Sequence, residues 1–377
     1  MTVPASAFQP FQPFLMERWQ SLYEHEVDFN LADSAVRCAP LDFLLDPDDL
    51  AELGRLELFY PPVNGSEQLR QRIAATYTPE PGDDEVLVTV GAAEANALVC
   101  QTMLERGDRV TVIEPGYRQV RGLAENLGCA VDVVQLRYED GWELELDTLR
   151  RNVGAQTKLL SVVNPNNPTG TILSPEARAA ILDVVDASGC WLLADEVYCG
   201  SERDGRETES FWGAHPRVVC VNSLSKAYGL CGLRIGWVVA PRPLLEELRR
   251  RHEYAVISAS LPSVFAAERA LLKREALLER QRELVRDGAE LYAHWLDAHA
   301  EFVAAQASPA SALSFPRYAA ALPSEQVADA IRTRASVLVV PGSMLGSEGH
   351  LRLSVGFEPD FLGPALDRVA GVLAELE

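Results

Sequence analysis

The sequence lacks any apolar run near the roughly 18 residues that a membrane-spanning helix needs. Its first residues, MTVPASAFQPFQPF, lack a basic stretch followed by an apolar one, so we expect no secretory signal and a cytoplasmic location. Positive charge is also scarce, because 34 Lys and Arg residues oppose 55 Asp and Glu residues. The formal charge of −21 disfavours binding to nucleic acid or anionic membranes and leaves a small molecule as the expected partner.

Cysteine and histidine give no sign of a disulfide framework or a metal site. The seven cysteines are odd in number and include no C-x-x-C pair, which is typical of reduced thiols, most of them in a core. The six histidines show no metal-ligand spacing, so we expect no metal. With 377 residues, of which 47% are hydrophobic, the chain is long enough for two packed domains.

Short apolar runs alternate with helical patterns from residue 86 onward, which predicts an α/β fold with a mainly parallel sheet. Seven strands are predicted, at residues 86–90, 109–113, 131–135, 158–163, 191–194, 218–221 and 235–240. The same kind of pattern predicts helices at 93–105, 119–127, 147–153, 174–187, 243–252, 263–299 and 366–376. It also predicts short strands near 312–318, 337–340 and 350–356. The part after residue 262 is therefore predicted to form a smaller α+β unit.

One lysine, Lys226, lies in a segment suited to an aldehyde cofactor that carries a phosphate. A lysine amine forms a Schiff base with an aldehyde when its neighbours hold the aldehyde and exclude water. Ser223 and Ser225 offer single hydrogen-bond donors to a phosphate, and Arg234 offers a planar fork. A lone lysine is usually a solvated surface residue, so the argument depends on the whole spacing S-x-S-K-x-x-G-x-x-G-x-R.

Polar motifs also follow other predicted strands. The turn at 164–170 reads N-P-N-N-P-T-G and carries more asparagines than a turn needs. Asp195 follows the apolar strand WLLA, where a carboxylate is costly to bury unless a cation pairs with it. A protonated pyridine nitrogen would be such a cation. Open α/β sheets bind ligands at the carboxyl ends of their strands, where these residues are expected to meet.

Taken together, these motifs resemble the class I/II aminotransferase family, which are fold-type-I enzymes dependent on pyridoxal 5′-phosphate (PLP). The resemblance extends from about residue 29 to residue 357, and it implies a mostly parallel seven-stranded sheet in a large PLP-binding domain at 46–254. It also implies a small domain made from residues 1–45 and 255–377, and a homodimer.

The resemblance assigns a role to each site residue. It implies catalytic roles for Lys226, Asp195 and Tyr117, the last of which would stack on the cofactor ring. The implied cofactor contacts are the backbones of Ala92 and Ala93, the side chains of Ser223, Ser225 and Arg234 at the phosphate, Asn167 and Tyr198 at the phenolic oxygen, and Tyr60 from the neighbouring subunit. The implied substrate contacts are Arg352 at the α-carboxylate, with Asn167, Ser34 and Ala35.

The reaction stays open at this point. Transamination is the leading prediction, because it is the commonest outcome on this scaffold. The lysine segment and the LVVPG turn at 338–342 also resemble enzymes of the capreomycidine-synthase type, which use the same scaffold for elimination and ring closure. Cys231 stands where close relatives tend to have proline. A non-catalytic effector-binding domain is less favoured, because no strongly basic helix-turn-helix region precedes the Tyr60 loop. The acidic excess slightly favours a cationic, arginine-like substrate.

Overall fold

The computed structural model describes residues 10–376, and this range begins with short helices and one short strand. These elements are α1 (Leu15–Tyr23), β1 (Phe29–Asn30), α2 (Leu41–Leu44), α3 (Pro47–Leu53) and α4 (Glu67–Ala74). The Asp46 carboxylate fixes the start of α3, because it accepts hydrogen bonds from the amides of Asp48 and Asp49. Ser66 caps α4 in the same way through the Leu69 amide.

A seven-stranded sheet forms the centre of the molecule. Its strands are β2 (Val86–Thr89), β3 (Arg109–Glu114), β4 (Ala130–Gln135), β5 (Thr157–Val163), β6 (Trp191–Asp195), β7 (Val218–Ser223) and β8 (Gly236–Val239), in the spatial order β2-β8-β7-β6-β5-β3-β4. Only β8 runs antiparallel to its two neighbours, and all other adjacent pairs are parallel. The predicted α/β fold with a mostly parallel seven-stranded sheet is confirmed.

Helices cover both faces of this sheet. They are α5 (Gly91–Met103), α6 (Gln119–Leu127), α7 (Leu146–Asn152), α8 (Pro175–Ser188) and α9 (Arg242–Ala255). Side chains alternate along each strand, so Val86 and Val88 enter one apolar core while Leu87 enters the core on the opposite face. Burial on both faces explains why the strands read as continuous apolar runs in the sequence.

The C-terminal part builds a separate apolar core around short strands. Its elements are α10 (Leu261–Leu272), α11 (Arg274–Ala298), β9 (Val303–Ala304), β10 (Leu313–Ser314), β11 (Arg317–Tyr318), α12 (Ser324–Ala335), β12 (Val337–Leu338), β13 (Val340–Pro341), β14 (Leu351–Ser354) and α13 (Pro359–Leu376). The N-terminal arm joins this part, because β1 pairs in parallel with β12 and the Trp19 indole donates to the Val339 carbonyl at 2.9 Å.

Four expectations for the C-terminal part need correction. The strand expected at 337–340 is two short strands, because β12 pairs with β1 and β13 pairs with β14. The single helix expected at 263–299 is two helices that meet at Lys273, and the break lets α10 pack on the central core while the end of α11 packs on the C-terminal core. The strand expected at 312–318 is divided at Pro316, which has no amide to donate to a ladder. The last helix begins at Pro359 and not at residue 366, because Pro359 occupies a first-turn position that needs no amide donor.

Among residues 10–376, no helix combines the length and the apolar character required to cross a membrane.

Candidate active site

A cleft of about 560 Å³ opens where the carboxyl ends of the sheet strands meet the N-terminal arm. Eleven of the fourteen predicted site residues line it: Ser34, Ala92, Ala93, Tyr117, Asn167, Asp195, Tyr198, Ser223, Ser225, Lys226 and Arg234. These residues come from positions that are up to about 200 apart in the sequence, and the parallel sheet brings them together because it aligns the ends of β2, β3, β5, β6 and β7.

Asp195 is a buried carboxylate at the end of β6. Its Oδ2 atom accepts a hydrogen bond from Asn96 Nδ2 at 2.9 Å, and Oδ1 accepts from the Val197 amide at 3.3 Å. Burial raises the pKa of this carboxyl above its ordinary value, although the two donors and the nearby Lys226 oppose the rise. A cationic group placed against Asp195 would favour the ionised form, so this position suits a protonated ring nitrogen.

Lys226 lies in the loop after β7 and points towards the N-terminal arm. Its Nζ atom donates to Ser34 Oγ at 2.7 Å, which links residues 192 positions apart in the sequence. The loop folds back on itself, because the Leu224 amide donates to the Ile235 carbonyl and the Leu230 amide donates to the Leu224 carbonyl. The amine is therefore held inside the cleft at the meeting point of the sheet and the arm.

Aromatic and amide groups line the walls of the cleft. The Tyr117 hydroxyl donates to Glu17 Oε1 at 2.9 Å, and the Tyr117 ring meets the Phe14 ring edge to face at 5.1 Å. Burial, followed by the Glu17 carboxylate, raises the pKa of Tyr117 well above its ordinary value and keeps the phenol neutral. On another wall, Asn167 Nδ2 donates to the Tyr198 hydroxyl at 3.3 Å.

One corner of the cleft has the features of an anion site. Helix α5 begins at Gly91, so the free amides of its first turn, including those of Ala92 and Ala93, lie at the cleft. Gly91 has a φ of 77°, and a Cβ atom there would occupy the space of the Arg234 guanidinium. Arg234 itself has a φ of 53°, an uncommon backbone conformation for a residue with a side chain, which here directs the guanidinium across this turn.

Arg352 lies in β14 behind the cleft wall and is fully buried. Its guanidinium donates to Asn167 Oδ1 at 3.1 Å, to the Ala32 carbonyl at 2.6 Å and to Gln20 Oε1 at 3.3 Å, while its Nε atom has no partner among the described residues. Burial lowers the pKa of this group from its ordinary value. All of these acceptors are neutral, so the charge is not matched by a carboxylate in hydrogen-bond contact.

Three predicted residues, Arg352 among them, do not line the cleft. Ala35 is buried in the arm next to Ser34, and its amide donates to Asp33 Oδ1 at 2.9 Å. Tyr60 is 76% exposed and belongs to an outward-facing apolar stretch with Leu58 and Phe59. Its position in this single chain does not bring it to the cleft.

The sequence interpretation missed several residues that the cleft contains. Asn96 is one turn of α5 beyond Ala92, so the two share a helix face, and a buried asparagine inside an apolar helix was the available signal. Glu17 and Glu24 also line the cleft from α1 and its C-cap. Their spacing of seven residues places them on one helix face, but nothing in the sequence indicates where that face packs.

Comparisons with known proteins agree with this geometry. The family model for aminotransferase class I and II matches residues 26–369. Capreomycidine synthase from Streptomyces vinaceus is 32% identical over 333 residues, which cover 88% of this chain and 84% of that protein.

Two solved structures resemble the whole chain. A PLP-dependent aminotransferase from Streptococcus suis has a TM-score of 0.91 at 28% identity and covers 98% of this chain and 99% of its own. The PLP-dependent cyclase OrfR has a TM-score of 0.89 at 27% identity and covers 99% of this chain and 100% of its own. On the matched family model and these similarities, the chain belongs to the class I and II aminotransferase family.

Proposed function

We propose that the chain binds PLP and uses it to transform an amino acid, with Lys226 as the residue that holds the cofactor. The observation that carries this proposal is the buried Asp195 carboxylate, which shares one cleft with the Lys226 amine and the anion corner at α5. PLP presents a protonated ring nitrogen, an aldehyde and a phosphate, and these three groups need the three partners that the cleft offers.

The residues present fit this cofactor. Asp195 has no cationic partner in hydrogen-bond contact, and Asn96 Oδ1 beside it has no hydrogen-bond partner among the described residues. The residues that would hold the group are Asp195 at the ring nitrogen, Tyr117 against the ring, Asn167 and Tyr198 at the phenolic oxygen, and Ala92, Ala93, Ser223, Ser225 and Arg234 at the phosphate. When bound, PLP supplies an electron sink that weakens the bonds at the substrate Cα.

The protein would position the substrate and move its Cα proton. Arg352 would receive the α-carboxylate in a bidentate contact, and Asn167 would turn with it, because its amide oxygen now accepts from that guanidinium. Lys226 would take the Cα proton and return it at the end of the reaction. Ser34, which accepts from the lysine Nζ at 2.7 Å, and its neighbour Ala35 would close the arm over the bound substrate.

The large domain at 46–254 would thus carry the cofactor, and the small domain at 1–45 and 255–377 would close on it. In this structure the two domains meet at Arg352, which contacts Asn167 of the large domain and Ala32 and Gln20 of the small domain. The exposed Tyr60 would complete the phosphate site of a second subunit in a symmetric homodimer. Sedimentation that finds only monomers of a fully loaded enzyme would contradict this arrangement.

We propose transamination as the reaction, which agrees with the family and with the Streptococcus suis structure. Elimination with ring closure is the second candidate, and the similarity to capreomycidine synthase and to the cyclase OrfR favours it. The two differ in the fate of the electrons after the Cα proton leaves. Transamination leaves the amine on the cofactor, whereas elimination expels a β- or γ-substituent and leaves the cofactor as it was.

The substrate proposed for either reaction has a cationic side chain. Glu17 on α1 and Glu24 at its C-cap line the cleft, and the whole chain carries a charge of −21. Carboxylates that line a ligand cleft attract a guanidinium or ammonium group. Glu24→Gln should raise the KM for arginine more than the KM for a neutral amino acid, and an equal change for both would contradict the assignment.

A panel of amino acids, including hydroxylated arginines and S-adenosylmethionine, distinguishes the two reactions. Each is added to PLP-loaded enzyme without keto acid, and products are followed by absorbance and mass spectrometry. Stoichiometric pyridoxamine phosphate and a keto acid support transamination. Turnover that leaves PLP unchanged and releases a leaving group would replace it with elimination. Protein that stays colourless with PLP and reacts with no amino acid would overturn both candidates.

A further inference from the structure

Two cysteines that are distant in sequence meet beside the cleft. Cys38 lies in the N-terminal arm and is exposed, whereas Cys231 lies five residues after Lys226 and lines the cleft. Their sulfur atoms are 3.4 Å apart, a contact across 193 positions of sequence. A disulfide bond needs a separation of about 2.05 Å, so the two sulfur atoms would have to approach each other by roughly 1.35 Å to be joined.

We propose that Cys38 and Cys231 form a reversible oxidation site, in which a peroxide converts the two thiols into a disulfide that ties the arm to the lysine loop. Cys231 attacks the peroxide first and becomes a sulfenic acid, with release of water. The Cys38 thiol then displaces the hydroxyl of that sulfenic acid as a second water. The two thiols lose two electrons and two protons in total, and the O–O bond takes them up.

The surroundings of the pair favour this order of attack. The hydrogen bond with Cys38, helped by the charges of Lys226 and Arg234 and opposed by burial and by Asp33, lowers the pKa of Cys231 from 9.0 to about 6. The pKa of Cys38 is raised, first by its hydrogen bond with Cys231 and then by partial burial of the residue, which stays exposed on one side. A thiolate is the nucleophile in thiol chemistry, so Cys231 is the attacking sulfur and the exposed Cys38 is the resolving one.

A bond between these sulfurs would act on both halves of the site. Arg234 depends on Cys231, because its Nη1 atom donates to the Cys231 carbonyl at 3.1 Å. On the other side, the arm carries Ser34, four residues before Cys38, and Ser34 accepts from Lys226 Nζ. The disulfide would fix the arm in its position over the lysine and would therefore hinder the arm movement that the proposed function assigns to substrate binding.

Peptide mapping tests the bond without reference to any reaction. The enzyme loaded with PLP is treated with hydrogen peroxide, alkylated with iodoacetamide and digested with trypsin. We expect residues 38–55 and 227–234 to appear as one cross-linked species that separates on reduction with dithiothreitol. Cys38→Ser should remove this species, and Cys129→Ser, which changes another partly exposed thiol, should keep it.

Activity of the same samples tests the consequence, and this part depends on the proposed function. The wild type should lose most of its activity with peroxide and regain it with dithiothreitol, while Cys38→Ser should lose much less, because a sulfenic acid at Cys231 alone does not tie the arm to the lysine loop. A cross-link without loss of activity would overturn the inference that the disulfide blocks activity. Both thiols alkylated after peroxide treatment, or Cys231 oxidised only to sulfinic acid, would overturn the proposal as a whole.

Discussion

Replacement of Glu196 by glutamine should stabilise the cofactor-free protein at alkaline pH. Glu196 is buried next to Asp195, and its carboxylate accepts from the Phe211 amide at 2.7 Å and from Ser210 Oγ at 2.8 Å. Burial raises its pKa from 4.5 to about 7, because these donors replace water only in part. Glutamine keeps both contacts, since its oxygen accepts from the amide and its nitrogen donates to the hydroxyl.

The direction in which stability changes with pH follows from proton binding. The folded state holds the Glu196 proton more tightly than the unfolded state, so stability falls as pH rises from 4.5 towards about 7. A difference of about 2.5 pKa units corresponds to a penalty of about 3 kcal/mol above that range, of which about 2 kcal/mol develops between pH 5.5 and pH 8.5. The glutamine variant carries no charge at this position, so its free energy of unfolding should show none of this loss.

Urea unfolding of both proteins at about pH 5.5 and about pH 8.5 measures this difference. Glu348→Gln is a control of opposite sign. Although burial opposes it, the amides of Ser324 and Gly349 lower the pKa of Glu348. Its stabilisation is therefore lost only when pH falls below 4.5, and this variant should be weakened equally at both pH values. If the wild type and Glu196→Gln lose equal stability between the two pH values, the reasoning is refuted.

Three further predictions concern the cleft. Lys226→Ala should lose the protein-linked chromophore after borohydride treatment, because no other amine is expected to bind PLP; an unchanged adduct would contradict this. Arg352→Ala should keep PLP, as measured by absorbance, but raise the KM for amino acids by roughly 10- to 150-fold, since a charge-assisted hydrogen bond contributes about 1.5–3 kcal/mol; loss of PLP with an unchanged KM would exclude the assigned role. Asn96→Ala should weaken PLP binding and shift the acidic limb of the activity profile to higher pH, because Asp195 loses the donor at 2.9 Å that lowers its pKa; an unmoved limb would show that this donor has no effect.

The central sheet was predictable because its signals are local. Each strand is a short apolar run bounded by turn residues, and burial on both faces keeps that run continuous. The C-terminal part was less predictable, since its strands are only two to four residues long and their pairing depends on distant partners. The pairing of β1 with β12 spans about 300 residues, and no local pattern in either segment indicates it.

The contrast between local signals and long-range packing also applies to the residues of the cleft. Residues in motifs, such as Lys226 and Asn167, were identified because the motif fixes their spacing. Asn96 and Cys38 belong to no motif, and only the packing of the chain shows that they contact Asp195 and Cys231. Arg352 was predicted as a site residue, but its burial behind Asn167 depends on how α1 covers β14.

The side chains around the cleft fall into two sets, which are held in place by different parts of the structure. Those assigned to the cofactor sit at the ends of sheet strands or in the loops that directly follow them, next to backbones that are paired within the sheet. Those that face the substrate come from α1, from the arm and from β14, and they depend on long-range contacts such as that between Arg352 and the Ala32 carbonyl. If the chain has the proposed function, changes in α1 or the arm would alter which side chain is accepted, and where its leaving group points, without loosening the cofactor. Under the proposed function, this division would let one fold serve both aminotransferases and cyclases, and Glu17 and Glu24 would bear more directly on the choice of substrate than any residue of the lysine segment.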